Sequence, residues 1–426
     1  MCASAAAGAY TWVHPAALAA QSAGIKTGDL PDLTIREAKI YVTDIGNVRR
    51  LNTPEDGQIV SLVTAGGIEG NYSLGNRGNP PGWLEYAKAA CVGRNVLDLL
   101  PTMAYGAGRQ RGGGGGGRGR GGAFTGGFGF ATRRGRMNPE SGPDLHAAAI
   151  DVCLWDILGK AVNRPIYRIL GGTKNRMLAY ASGQHLANVE DFGPDALKAK
   201  AAGIKGYKIH PGGGQRRTGG QIPAYLGHIE EIKEVRKAVG DDYTLLFDPV
   251  QRYNYFEALK VGRVLDEYGY VSFEDPIPTT DIEGLIELRK NLDVPIEVGE
   301  FILDVYDYAE YLRRGAVDVV RLIADNIGGI TGSFRVGQMA DAFGMPCTPH
   351  NWGNGFDLAV HFHLELALPN AYWFEMPWPW EYVDRPYMPY KFRTDAEGYV
   401  SAPTEPGLGY PLDRGALDKI TKRIDR

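Results

Sequence analysis

The chain has 426 residues, is 44% hydrophobic and 23% charged, and carries a net charge of −4. That length suits one large domain with a smaller companion rather than a single small domain. The mild acidity gives no general pull toward nucleic acid or anionic lipid, and Cys2, Cys91, Cys153 and Cys347 are too scattered for a zinc ribbon or a disulfide framework.

Residues 1–34 begin as an Ala-rich leader, and residues 1–24 contain no Lys, Arg, Asp or Glu. Ala17-Leu18-Ala19 resembles a signal-peptidase site, although the basic start of an export signal is missing. Two expectations stand: a cytoplasmic protein with a leader, or a periplasmic one whose signal is truncated. His14 and Pro15 interrupt the apolar stretch, so it does not read as a transmembrane helix.

Residues 35–172 read as an α+β unit. "IREAKIYVTDI" and "GQIVSLVTAGG" are strand-like, and "PPGWLEYAKAACVGRNVLDLL" reads as one helix entered through Pro. Residues 106–136 form a Gly- and Arg-rich tract with interleaved Phe. Such a tract reads first as an inserted flexible loop. The reading from a different class is an RGG-type nucleic-acid-binding segment, which salt-dependent binding to single-stranded RNA would reveal. "SGPDLHAAAIDVCLWDILGKAVNRPIYRILGG" then reads as helical, with Ala148, Val152, Trp155 and Leu158 on one face.

From residue 173 to 393 strand-like runs alternate with amphipathic helical stretches. The runs are "MLAYASG", "IKGYKIH", "YTLLFDP", "YVSFEDP", "PIEVGE", "VDVVRLI", "MPCTPH" and "AYWFEMP". Eight such units predict a (β/α)8-type barrel, with a doubly wound sheet as the alternative. Residues 394–426 are left as a C-terminal segment.

The polar residues fall systematically at the strand ends, where barrels of this kind carry their active sites. Lys208 and His210 share one face of the second run; Asp248, Glu274 and Glu300 end the third, fourth and fifth; His350 ends the seventh and Glu375 lies in the eighth. Three carboxylates converging in a closed mouth would repel one another, and a hard divalent cation such as Mg2+ removes that repulsion. Glu297 competes with Glu300 for the third position. Glu300 is preferred, because it comes last in the strand and follows Gly299, which allows close backbone approach.

These motifs resemble the enolase superfamily, in particular its mandelate racemase-like subgroup. The likeness runs from about residue 35 to the C-terminus, through "AIDVCLWDILGKAVNRPIYRILGG", "FEDP", "VGE", "GGITGSFRVGQMADAFGMPCTPH" and "PTEPGLGYPLD". It implies that 35–172 caps the barrel and that 394–426 returns to the cap. It implies a Mg2+-dependent enzyme, with Asp248, Glu274 and Glu300 as metal ligands, that removes the proton α to a carboxylate through an enediolate. The reaction expected is dehydration of a small hydroxy acid, a sugar acid in particular; racemisation or epimerisation by the same chemistry is the alternative.

Lys208 is the expected base, with His210 as its modulator or a substrate ligand. His350 is the expected acid, and a protonated Glu375 would bond the substrate carboxylate. Ile323 stands where the family places an aspartate beside the seventh-strand histidine, so Asp325 is the candidate substitute. Asn351, Asp325, Arg49, Arg50 and Arg77 are candidate substrate contacts. The expected partners are a small carboxylate substrate and further copies of the chain, with no nucleic acid and no membrane.

Overall fold

The structure, a computed structural model, describes residues 30–44, 56–74, 80–105, 145–212, 223–353 and 355–426. Arg49, Arg50, Arg77, the Gly/Arg tract and the leader up to residue 29 lie outside the described residues.

The N-terminal sheet is antiparallel. Strands β1 (Ile35–Asp44), β2 (Asp56–Thr64) and β3 (Glu69–Ser73) follow one another as a meander. The last strand of the chain, β13 (Thr421–Asp425), pairs with the free edge of β1. In β1, Ala38, Ile40 and Val42 alternate onto the buried face, while Glu37 and Lys39 on the other face are half-buried; the register shifts between Ile35 and Glu37.

The single helix expected over residues 80–100 is two helices, Pro80–Cys91 and Val96–Tyr105. Gly93, at φ +82°, turns the chain between them, and its N–H donates to Ile35 of β1 at 2.8 Å. The next helical stretch divides likewise into Leu145–Ala161 and Ile166–Ile169, broken at Asn163 (φ 53°) and Pro165.

The second sheet is the barrel. Its parallel strands are β4 (Arg176–Ser182), β5 (Gly206–Ile209), β6 (Thr244–Phe247), β7 (Ser272–Glu274), β8 (Ile296–Val298), β9 (Val319–Leu322), β10 (Cys347–Pro349) and β11 (Trp373–Pro377). They lie in chain order, and β4 pairs with both β5 and β11. That pairing bends the sheet back on itself and rules out the doubly wound alternative. Among the described residues, no strand ladder joins β10 to β11. The seam is held instead by Cys347 N–H on Asn370 O at 3.0 Å and by Asn351 N–H on the Glu375 carboxylate at 2.7 Å.

A helix fills every interval between successive barrel strands. β11 is followed by a 3-10 turn, Trp380–Val383, and by β12 (Tyr399–Ser401), which runs antiparallel to β4. Among the described residues, no helix is long and apolar enough to cross a membrane.

Buried polar contacts fix the N-terminal sheet and its helix against the barrel. Asp151 accepts from the Thr331 N–H at 3.0 Å and from its hydroxyl. Asp156 accepts from Asn71 N–H and Leu408 N–H. Tyr72 of β3 reaches the elements that follow β9 and β10, where its hydroxyl lies 2.7 Å from Asp325 and 2.6 Å from Asp357. The cap therefore covers the carboxyl-end rim of the barrel.

Candidate active site

Strand ends three, four and five bring Asp248, Glu274 and Glu300 together. One carboxylate oxygen from each lies within 4.8 Å of the others. Asp248 is held by its own loop: its backbone N–H donates to Ile209 O, and Val250 N–H donates to its Oδ1 at 2.8 Å. Its Oδ2 is buried and has no aligned hydrogen-bond donor. Glu300 reaches the group because Gly299 has φ +149°. A Cβ there would lie 1.9 Å from the Arg321 carbonyl, so only glycine lets β8 approach β9 this closely. Glu297 points lower into the barrel, where Ser272 Oγ (2.6 Å), Thr348 Oγ1 and Arg321 Nη1 (3.1 Å) hold it.

The electrostatics separate these acids. Burial alone would raise Asp248, but the adjacent His210 and Lys208 hold it down at about 2. Burial and then the charge of Asp248 push Glu300 up to about 7. Glu274 is also raised, because burial, Asp248 and Glu297 outweigh Arg321 and Lys208. Lys208 and Arg321 thus face more carboxylate charge than they can balance. An all-oxygen donor set and surplus negative charge fit a hard divalent cation.

Lys208 and Glu375 lie below this layer. Lys208 is fully buried, with Nζ 2.7 Å from Glu274, 2.5 Å from Glu375 and 3.9 Å from Asp248. Burial and Arg321 oppose its charge, but Glu274 and Glu375 prevail and hold its pKa well above the usual lysine range. A hydrogen bond from Glu375 to a substrate carboxylate requires a protonated acid; here Arg321 and Lys208 overcome the cost of burial and hold Glu375 well below the usual carboxylate range. It is fully buried, and its other partner is the Asn351 N–H.

His210 sits at the mouth rather than beneath it. Its Nδ1 lies 2.7 Å from Gly183 O and must carry a proton there, because a carbonyl only accepts. Its Nε2 is 3.0 Å from Asp248 Oδ2. The rings of His185 and Trp352 stand edge-on to it at 5.2 and 5.3 Å. His350 is the second imidazole, with Nε2 3.3 Å from Glu300 Oε2. Burial first, then Arg321 and Lys208, push His350 well below the usual histidine value against the pull of Glu375. Asp325, the expected partner of His350, is bonded to Tyr72 of the cap, and the carboxylate beside His350 is Glu300. Asn351 is buried, and neither atom of its side-chain amide has a hydrogen-bond partner among the described residues.

Sequence reasoning missed Arg321. It is fully buried in β9, with Nε 2.5 Å from Glu274 Oε1, Nη1 on Glu297 and Nη2 on Glu375. The signal was present: a lone arginine inside "VDVVRLI", on the same strand face as Ile323.

Known proteins share this architecture. The family described as Enolase C-terminal domain-like matches residues 193–416, a little over half of the chain. An arabinonate dehydratase of Saccharolobus solfataricus is 31% identical over 64% of this chain and 71% of its own. A D-gluconate dehydratase of Thermoproteus tenax is 30% identical over 64% of this chain, which spans only 55% of that protein. Among solved structures, the magnesium complex of D-glucarate dehydratase from Agrobacterium tumefaciens superimposes with a TM-score of 0.72, covering 92% of this chain and 100% of that one at 24% identity. Barrel, cap and family match agree, and the chain belongs to the enolase superfamily.

Proposed function

We propose that this protein is a Mg2+-dependent hydro-lyase that dehydrates a sugar acid, a small carboxylate with hydroxyls at the α and β carbons. The observation that carries the reading is the pair of imidazoles, His210 and His350, flanking the Asp248–Glu274–Glu300 cluster, one beside Asp248 and one beside Glu300. The names of the relatives support the substrate class: arabinonate and D-gluconate are both sugar acids.

Asp248, Glu274 and Glu300 would hold the cation. It would supply the positive charge needed when a weakly acidic proton beside a carboxylate is removed. The chain's own groups divide the proton work. His350, driven neutral by burial, has a free lone pair and takes the α-proton. His210, fixed by Nδ1–H on Gly183 O with Nε2 in the mouth 3.0 Å from Asp248 Oδ2, is placed to pass a proton to the departing β-hydroxyl, which leaves as water. Lys208 supports the carboxylates from below. The unpartnered amide of Asn351 is a candidate for a substrate hydroxyl.

These roles reverse the side of the mouth on which the base was expected. Dehydration is favoured over racemisation by the names of the relatives, an arabinonate dehydratase and a D-gluconate dehydratase. The test is incubation with pentonates and hexonates in D2O, reading both keto-acid formation and α-proton exchange. His350→Asn should lose both. His210→Asn should lose keto acid by about 10²–10⁴-fold and keep α-exchange. Exchange that survives in His350→Asn and disappears in His210→Asn would return the base to the second strand.

A further inference from the structure

The barrel below the mouth holds a closed ring of alternating charge. Lys208 touches Glu274 and Glu375, and Arg321 touches the same two carboxylates from the other side. Lys208 approaches Glu274 through Oε2, and Arg321 through Oε1. The carboxylate is therefore met by a cation at each oxygen, through a hydrogen bond from Lys208 at Oε2 and a close ion-pair contact with Arg321 Nε at Oε1. The arginine has its own anchor, because Nη1 lies 3.1 Å from Glu297 Oε1 and also reaches the Thr348 carbonyl. Glu297 is held in turn by Ser272 Oγ at 2.6 Å and by Thr348 Oγ1. Three adjacent strands, β8, β9 and β10, thus converge on one guanidinium.

We propose that Arg321 is a positioning residue for the metal site: its planar fork sets the orientation in which Glu274 presents its lone pairs to a divalent cation beside Asp248 and Glu300. The inference rests on the reading of those three carboxylates as metal ligands. The geometry asks for an arginine specifically. A guanidinium can hydrogen-bond Glu297 and Glu375 through its two Nη atoms while Nε faces Glu274 at ion-pair distance, all three nitrogens held in one plane, whereas an ammonium acts as a point charge. Groups that orient ligands in this way typically account for about 10–100-fold in metal affinity.

The test is isothermal titration of the metal-free full chain with Mg2+, with folding checked by circular dichroism and thermal melting. Arg321→Lys keeps the charge and removes the fork; it should fold and bind Mg2+ about 10-fold or more weakly. Glu297→Gln keeps size and hydrogen bonding but removes the charge that anchors the guanidinium; it should weaken Mg2+ by a smaller factor in the same direction. A merely structural arginine would lower the melting temperature and leave affinity alone. Unchanged Mg2+ affinity in folded Arg321→Lys overturns the proposal, and so does unchanged affinity in Glu297→Gln if Arg321→Lys does not fold. If the unmodified chain itself binds no Mg2+, it is the metal reading that fails.

Discussion

The mouth of the barrel and its floor lie a few ångströms apart and treat charge in opposite ways. On the floor, Lys208, Arg321 and Glu375 answer one another across contacts of 2.5 Å and similar lengths, with no exposed surface. In the mouth, Asp248, Glu274 and Glu300 crowd together, and Glu300 is pushed up to about 7. Glu274 belongs to both layers. The difference shows how a buried charge network can brace a site without occupying it: the floor sets each cation against carboxylates at ion-pair distance, and the mouth is left with unbalanced negative charge.

The largest effect should come from breaking the floor. Lys208→Met removes one of two cations from carboxylates that cannot reach water. Removing one partner of a buried pair costs about 3–5 kcal/mol, so the melting temperature should fall steeply with or without Mg2+. If the variant keeps its stability and loses only turnover, Lys208 belongs to the mouth after all.

Glu300→Gln breaks the mouth instead, and its sign depends on pH. The folded-state pKa of Glu300 lies near 7, above an ordinary value of 4.5. The folded chain therefore binds this proton more tightly than the unfolded chain. Its contribution is full below about pH 4.5 and is lost as pH rises through 7, by at most roughly 3 kcal/mol. His350, His185, His228 and His363 act oppositely over much of this window, because burial first lowers each of them. The Glu300 effect is thus read as the stability of the unmodified chain minus that of Glu300→Gln. In EDTA this difference should fall from pH 4.5 to pH 7. With saturating Mg2+ it should reverse in favour of the unmodified chain, since the variant loses a ligand. A difference that ignores Mg2+ would remove Glu300 from the metal set.

The same contrast explains what the sequence revealed. Every barrel strand was visible, because runs such as "YTLLFDP" and "PIEVGE" are apolar up to the residue that bears chemistry. The acids of the mouth were visible for the same reason: each ends its strand. The floor was not. Strand periodicity places Lys208 and His210 on one face but says nothing of depth, and the structure separates a sealed ammonium from an imidazole at the rim. The partners of Lys208 and Arg321 come from other strands, so their protonation depends on three-dimensional pairing. Local breaks were also hidden: Gly93 and Asn163 interrupt helices whose apolar spacing reads as continuous. Strands β3, β12 and β13 are short and take their pairing from distant segments, which local pattern does not carry.

The smallest effect, at Asp151, sharpens the comparison by supplying a third kind of buried acid. Burial pushes this cap carboxyl up to about 7, as far as Glu300, although Thr331 donates to it from both N–H and hydroxyl. A raised acid is therefore no sign of a metal site; convergence of like charges is. Thr331→Val removes the hydroxyl donor, and with it the acceptor for Trp155 Nε1 at 2.9 Å. The cost should be about 1 kcal/mol for lost buried hydrogen bonding. It should be the same in EDTA and in saturating Mg2+, because Asp151 ties the cap helix to the barrel and faces no other acid in that contact. Melting temperatures of the variant and the unmodified chain, each measured with and without Mg2+, give the comparison directly. A Thr331→Val penalty that grows when Mg2+ is added would mean that the cap interface and the mouth are coupled, and that the two regions are not electrostatically separate.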